Sequence, residues 1–409
     1  MEQITFLHAA DLHLDSPYIG LKRLPDSLFK RVQESTFVSL QRLVTYAIKN
    51  QVDFIIIAGD LYDAEQRSLK AQIRVRNEML RLERVGIQVY VIHGNHDPLN
   101  GNWIKLDWPS NVHIFSGEIE VKTFIKEGKH LANLYGFSYS QKAITENMAA
   151  KYEKKCDNCF HIGLLHGTIS SNNEHVPYAP FQLSDLKNKD FDYWALGHIH
   201  QKQIVNEDPP IVYPGNIQGR HKKETGEKGC YLVSISETAS KNTFIDTCDI
   251  IWENIQVPIT DIHTIDELIK RCKQVLDRLR RTDQGVFVNV SFTGHGELSA
   301  LLQEFAVIED MLEILIAGEE EQQNFVWICS YENQTQSVKD LEQLKKDMHF
   351  VGDLLQHFEQ YDHLQEALSP LYDHKQGRRF IAPLLQEEQE ALLHEAEAWI
   401  VNELLNFIK

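Results

Sequence analysis

Five short motifs follow one another along the first half of the chain: Asp11-Leu12-His13, Gly59-Asp60-Leu61-Tyr62-Asp63, Gly94-Asn95-His96-Asp97, His166-Gly167 and Gly197-His198-Ile199-His200. Carboxylate, amide and imidazole donors in this number are what two divalent cations need to sit about 3.5–4 Å apart and clamp a phosphoryl group. One ligand has to bridge the pair. A carboxylate has two oxygens for the task, so Asp60 is the natural bridge, with Gly59 letting the backbone turn tightly beneath it. A mixed oxygen and nitrogen set without cysteine suits Mn²⁺, Mg²⁺, an Fe/Mn pair or Zn²⁺. The expected cofactor is two divalent ions per chain, Mn²⁺ first.

The elements that must position these groups are legible beside them. Each motif ends a short apolar run, ITFLHAA, DFIIIAGD, IQVYVIHG, FHIGLLHG or YWALGH, that reads as a β-strand. The polar groups therefore gather at the carboxyl ends of strands, where open α/β folds place their sites.

The motif series resembles the calcineurin-like metallophosphoesterase superfamily. Within it, the spellings ADLHLD, GDLYD, GNHD, LLHGT and ALGHIH resemble the SbcD-like DNA repair nuclease group, the YhaO-type bacterial phosphoesterases in particular. The likeness is specific over residues 1–235 and loose beyond. It implies an α/β fold, a metallophosphoesterase β-sandwich flanked by helices. It also implies that Asp11, His13, Asp60 and His200 hold one metal, and Asp60, Asn95, His166 and His198 the other. His96 becomes the catalytic group by the same likeness. Physically, an imidazolium beside the leaving oxygen supplies its proton or steadies its charge. Next to two dications it needs a compensating carboxylate, for which Asp63 is the expected partner and Asp97 the alternative.

Other polar residues are weighed against plainer roles. His8, His93 and His161 lie in or beside apolar strands and read as hydrogen-bonded structural groups. Arg220 and His221, after Tyr213-Pro214-Gly215-Asn216, are candidate substrate-binding residues because an arginine there can grip a phosphate bidentately; a solvated loop is the equal alternative. His175 stands in the same position, while Asp15 and Tyr178 are set aside. Cys156 and Cys159 form a single C-x₂-C with no second pair at finger spacing and read as incidental. Without an apolar leader or a long apolar span, the expected setting is a reducing cytoplasm, with no membrane association.

Charge is divided unevenly along the 409 residues. Residues 1–235 hold 27 Lys+Arg against 27 Asp+Glu, and the rest 14 against 32, so the whole net charge of −18 belongs to the second part. Two dications would add about +4 to the neutral part and make its cleft attractive to phosphates. Residues 236–333 read as a small α/β unit: an amphipathic helix with Ile265, Leu268, Ile269, Cys272, Val275, Leu276 and Leu279 on one face, the strand QGVFVNVSFTG, the short helix GELSALLQEF and the strand NFVWICSYE. By resemblance it is a capping domain over the metal cleft. Residues 334–409 read as a helical carboxy-terminal region, with Leu392, Ala396, Trp399, Ile400, Leu404 and Phe407 at helical spacing. This stripe is either core or a docking helix, and the resemblance suggests an SbcC-like (YhaN-type) coiled-coil ATPase as partner. A homodimer through the first helix, Leu28 to Lys49, is a family expectation.

The function these readings favour is a two-metal-ion-dependent phosphodiesterase, a DNA nuclease subunit, by resemblance an exonuclease, acting on DNA ends in repair. The same clamp would serve a phosphodiesterase or phosphatase for small phosphates or phosphoproteins. A non-catalytic interaction subunit is the third reading, which the complete ligand set disfavours. The chain lacks the clustered basic stripe usual in nucleic-acid binders; its runs, such as Lys154-Lys155 and Arg220 to Lys223, are modest.

Overall fold

The computed structural model describes residues 3–18, 21, 24–63, 68–101, 104, 106–170 and 178–336, and beyond these 350, 352–354, 357, 361, 364–373, 389, 392–393, 396 and 400. Contacts divide the chain into two compact units, one of 1–255 with 272–291 and 312–332, the other of 256–271 with 292–311 and 333–409. All the candidate site residues belong to the first.

Along the first unit run β1 (Gln3–Ala9), α1 (Asp26–Lys49), β2 (Phe54–Ala58), α2 (Leu69–Glu83), β3 (Gln88–Ile92), β4 (Val112–Ile114), β5 (Glu120–Lys126), β6 (Lys129–Gly136), β7 (Phe160–His166), α3 (Leu183–Lys187), β8 (Tyr193–Gly197), β9 (Gln203–Glu207), β10 (Pro210–Tyr213), β11 (Gly229–Ser236) and β12 (Ser240–Asp246). Two six-stranded mixed sheets result, in the orders β12-β11-β1-β2-β3-β4 and β5-β6-β7-β8-β10-β9. β1, β2 and β3 are mutually parallel, as are β6, β7 and β8. The five motifs therefore leave their sheets at strand ends of like direction.

The strands are apolar on both sides because both sides are covered. Residues at one parity, Ile4, Phe6, Phe54, Ile56, Tyr90 and Ile92, pack between the sheets against Leu134, Ile162, Leu164 and Ala195 of the second. Phe6 and Phe54 stack there with ring centroids 4.8 Å apart. The opposite parity, Leu7, Ile55, Ile57, Val89 and Val91, meets Leu40, Leu43 and Val44 of α1 and Val75 and Met79 of α2. Trp194, Leu165, Leu196 and Tyr213 fill the outer face of the second sheet with Phe181, Leu186 and Phe191. Each fully buried Ile, Leu or Phe contributes about 1.5–3 kcal/mol, so the layered order helix, sheet, sheet and covering segments is strongly specified. The α/β sandwich flanked by helices is the architecture expected from the sequence.

Downstream, β13 (Ile250–Pro258), β14 (Gly285–Thr293) and β15 (Val326–Asn333) form a three-stranded sheet in that order. Helices α4 (Ile265–Leu279), α5 (Leu298–Leu301) and α6 (Phe305–Ile316) alternate with them. Trp399, Leu404 and Phe407 of the expected apolar stripe lie outside the described residues, as does His175. Among the described residues no helix is long and apolar enough to cross a membrane.

Candidate metal centre

The loops after β1, β2, β3, β7 and β8 bring the candidate ligands to one place. Main-chain bonds fix the first two: Asp11 N–H donates to Gly59 O at 3.1 Å and His13 N–H to Asp60 O at 3.0 Å. Gly59 is required where it stands, since its φ of +97° is left-handed and a Cβ would come 2.1 Å from His166 Nδ1. Gly94 is required for space, because its Cβ would fall 2.3 Å from Asp60 Oδ1 and 2.7 Å from His166 Nε2. Asp11, His13, Asp60 and His198 all take positive φ, 51°, 43°, 49° and 102°. Such backbone costs about 1–3 kcal/mol per residue and persists where the surroundings over-determine it.

Two half-sites meet at Asp60. On one side His13 and His200 face each other, Nε2 to Nε2, at 3.0 Å, with Asp60 Oδ2 3.7 Å from His13 Nε2. On the other, Asn95 Oδ1 lies 3.0 Å from His166 Nε2 and 3.2 Å from His198 Nδ1, and His166 Nε2 lies 3.4 Å from Asp60 Oδ2. Asp11, His13 and His200 form one compact group of possible ligands, and Asp11, Asp60 and His166 another. Bonds of about 2.1 Å set adjacent corners of an octahedron about 3.0 Å apart, which is the spacing of these donors. The residues fit a pair of cations.

Burial and opposed charges set the protonation. Burial pushes the His13 imidazole down to about 3, aided by the Arg220 charge, so it is neutral with a lone pair to give. Burial would depress His166 as well, but Asp60 and Asp11 overcome it and raise this imidazole to about 9. The Asp60 carboxyl, despite burial, is held far below its usual range by His166 and His13. Burial raises Asp11.

Carboxylates behind the imidazoles orient these candidate ligands. Asp63 Oδ1 lies 2.9 Å from His13 Nδ1, and Glu224 Oε1 lies 2.6 Å from His200 Nδ1. Glu224 is buried and also accepts from Asn216 Nδ2 and the Arg220 main-chain N–H. Carboxylate–imidazole pairs of this kind fix tautomer and ring direction in metal sites. Glu224 escapes a reading of the sequence, since it sits in the charged run HKKETGEK that looks like any solvated loop. Arg220 lies between the two carboxylates, donating from Nη1 to Asp63 Oδ1 with Nη2 3.5 Å from Glu224 Oε1. His221 is exposed at the rim.

His96 is partly open to solvent, with its main-chain N–H on Asp60 Oδ1 at 2.9 Å. Its Nδ1 lies 3.0 Å from Asp63 O and 4.0 Å from Asp63 Oδ1. A carbonyl oxygen only accepts, so Nδ1 donates and Nε2 is left for exchange. Asp97 is occupied elsewhere: buried, it accepts from Leu61 N, Gly94 N and the His93 ring and braces the two loops. His8 and His161 are likewise hydrogen-bonded inside the fold, to Tyr193 and Leu196 and to Tyr135 and Asp157. A cavity of about 720 Å³ opens on Asp60, Asn95, His96 and His198, with Lys223 and Lys228 among its other walls.

Comparison with known proteins agrees with this architecture. The Calcineurin-like phosphoesterase profile matches residues 4–202, and that of the "Metallophosphoesterase YhaO, middle domain" residues 252–336. Over 406 residues the chain is 40% identical to the metallophosphoesterase YhaO of Bacillus subtilis (strain 168), covering 99% of this chain and 98% of the relative. It is 28% identical over 255 residues to the DNA double-strand break repair protein Mre11 of Sulfurisphaera tokodaii, covering 58% and 61%. The Methanocaldococcus jannaschii protein of that description is 26% identical over 293 residues, covering 66% and 74%. The chain belongs to the calcineurin-like metallophosphoesterase family, whose members bind divalent metals and hydrolyse phosphoesters.

Proposed function

We propose that the protein is a two-metal phosphodiesterase that processes DNA ends as a repair nuclease, with Mn²⁺ as its metal. The observation that carries this reading is the pair of half-sites sharing Asp60 at the floor of an open cavity. In this reading Asp11, His13, Asp60 and His200 hold one cation, and Asp60, Asn95, His166 and His198 the other. When bound, the cations supply charge neutralisation at phosphorus and an acidified water. The chain's own residues do the rest. Asp63 and Glu224 keep His13 and His200 aimed inward, and Arg220 balances the two carboxylates. His96, anchored through Nδ1, delivers a proton from Nε2 to the departing oxygen.

The DNA assignment draws support from the Mre11 relatives, described as double-strand break repair proteins. Extending it, residues 236–333 would cap the cleft and restrict it to ends, and residues 334–409 would dock an SbcC-like coiled-coil ATPase. A homodimer would supply duplex affinity that the modest basic runs do not. A reducing cytoplasm is the proposed setting, in keeping with six free thiols.

The test is purified full-length protein with Mn²⁺ on linear duplex DNA, circular single-stranded DNA, cyclic nucleotides and bis(p-nitrophenyl) phosphate in parallel. Cleavage of linear DNA from its ends, together with the small diester, is expected. Hydrolysis of the small diester with DNA of every form left intact would overturn the nuclease assignment in favour of a small-phosphate substrate.

A further inference from the structure

Sequence spacing leaves Cys156 and Cys159 without a second half; the fold supplies one. β6 begins at Lys129, and the loop carrying Cys156-Asp157-Asn158-Cys159 enters its parallel neighbour β7, so His130 comes beside that loop. Ligand atoms of His130, Asp157 and Cys159 all lie within 4.8 Å of one another. Asn133, fully buried, holds two of the three: its Oδ1 lies 2.9 Å from His130 Nε2 and its Nδ2 donates to Asp157 Oδ2 at 2.9 Å.

We propose that His130, Asp157 and Cys159, joined by Cys156 three residues upstream, form a second metal site that takes a single zinc ion. Its donors are sulfur, imidazole and carboxylate, the set zinc accepts in tetrahedral sites, and a C-x₂-C pair presents two sulfurs to one ion. Zinc bonds of about 2.0–2.3 Å place ligands about 3.3–3.8 Å apart, so closure needs a contraction of about 1 Å at an exposed hairpin end. Each thiol that binds releases its proton to solvent.

The site stands apart from the dinuclear centre. Cys159 precedes β7 and His166 ends it, seven residue steps of about 3.3 Å, or about 23 Å. Its role is structural: it ties the start of β6 to the entry of β7 and so pins the register Ala132↔Phe160 and Asn133↔His161.

Cobalt substitution distinguishes the two sites because only this one contains sulfur. Titrating reduced full-length protein with Co²⁺ is expected to give a near-ultraviolet thiolate-to-cobalt charge-transfer band that Zn²⁺ displaces. The band should persist in Asp60→Asn and vanish in the double variant Cys156→Ser/Cys159→Ser. His130→Ala, at an exposed position, should weaken Co²⁺ binding here by at least about tenfold. Absence of the band, its survival in Cys156→Ser/Cys159→Ser, or unchanged affinity in His130→Ala would overturn the proposal. If Cys156→Ser/Cys159→Ser fails to fold by circular dichroism, the His130→Ala affinity decides.

Discussion

Metal uptake by this centre should be paid in protons, chiefly from one residue. His166, raised to about 9 by Asp60 and Asp11, carries a proton at neutral pH that a cation must displace. At pH 7 the two pH units below that value correspond to about 2.7 kcal/mol, or about a hundredfold in affinity. His13, depressed to about 3, adds nothing to the cost. The dissociation constant for Mn²⁺ or Mg²⁺ at this half-site should therefore tighten about tenfold per pH unit between pH 6.5 and 8.5. Toward lower pH the dependence should steepen as Asp11, raised by burial, also binds a proton. Isothermal titration calorimetry at each pH gives the slope, and repeating pH 7 in buffers of different ionisation enthalpy counts the released proton directly. An affinity independent of pH across this window, with no proton released, would refute the idea that His166 is held as an imidazolium between two carboxylates.

Glu224→Gln removes the carboxylate behind His200 while keeping its shape, and should lower metal affinity or turnover about 10- to 100-fold, measured by metal titration and diester hydrolysis. His96→Asn should leave metal content unchanged and lower turnover about 10²- to 10⁴-fold, more on DNA than on a nitrophenyl diester whose leaving group departs unprotonated. Gln218→Leu should destabilise the protein by about 2–4 kcal/mol in chemical denaturation, since the buried amide accepts from Asp249 N and Ile250 N and donates to Ile250 O. His8, buried and depressed to about 3 against 6.5 unfolded, favours the folded state fully above pH 6.5 and loses that contribution as pH falls toward 3. At pH 4.5 the loss is about 2.7 kcal/mol, so His8→Gln should flatten the acid side of a denaturation profile.

The meeting of the candidate donors was legible because each ends an apolar run, and strand direction then does the gathering of five motifs far apart in sequence. The two-sided burial of β2 could be read from FIIIA for the same reason. What the sequence does not disclose are partners fixed by long-range closure. Glu224 reaches His200 only because the loop after β10 folds back, and no local pattern marks it. The place of Arg220 between Asp63 and Glu224 is likewise set by packing that no local pattern marks. Helix α6, FAVIEDMLEILI, is obscured by its own composition, since apolar residues on most faces leave little periodicity to detect.

The site's local chemistry and its backbone point to one economy. Four candidate ligands sit in left-handed backbone, at about 1–3 kcal/mol each, and two buried carboxylates lie close enough to repel. In the metal-free chain the His166 proton offsets part of that repulsion, and its contribution is present below pH 6.5 and lost as pH rises through about 9. A dication held by the half-sites that share Asp60 would offset the same repulsion in place of that proton. Metal binding would therefore stabilise these strained loops and couple occupancy to the rigidity of the strand ends. His96 depends on that coupling, because its main-chain N–H rests on Asp60 Oδ1 and its ring on Asp63. In the proposed mechanism, filling the centre would therefore also fix the imidazole that is to deliver the proton, so metal binding and catalytic alignment would follow from the same carboxylate.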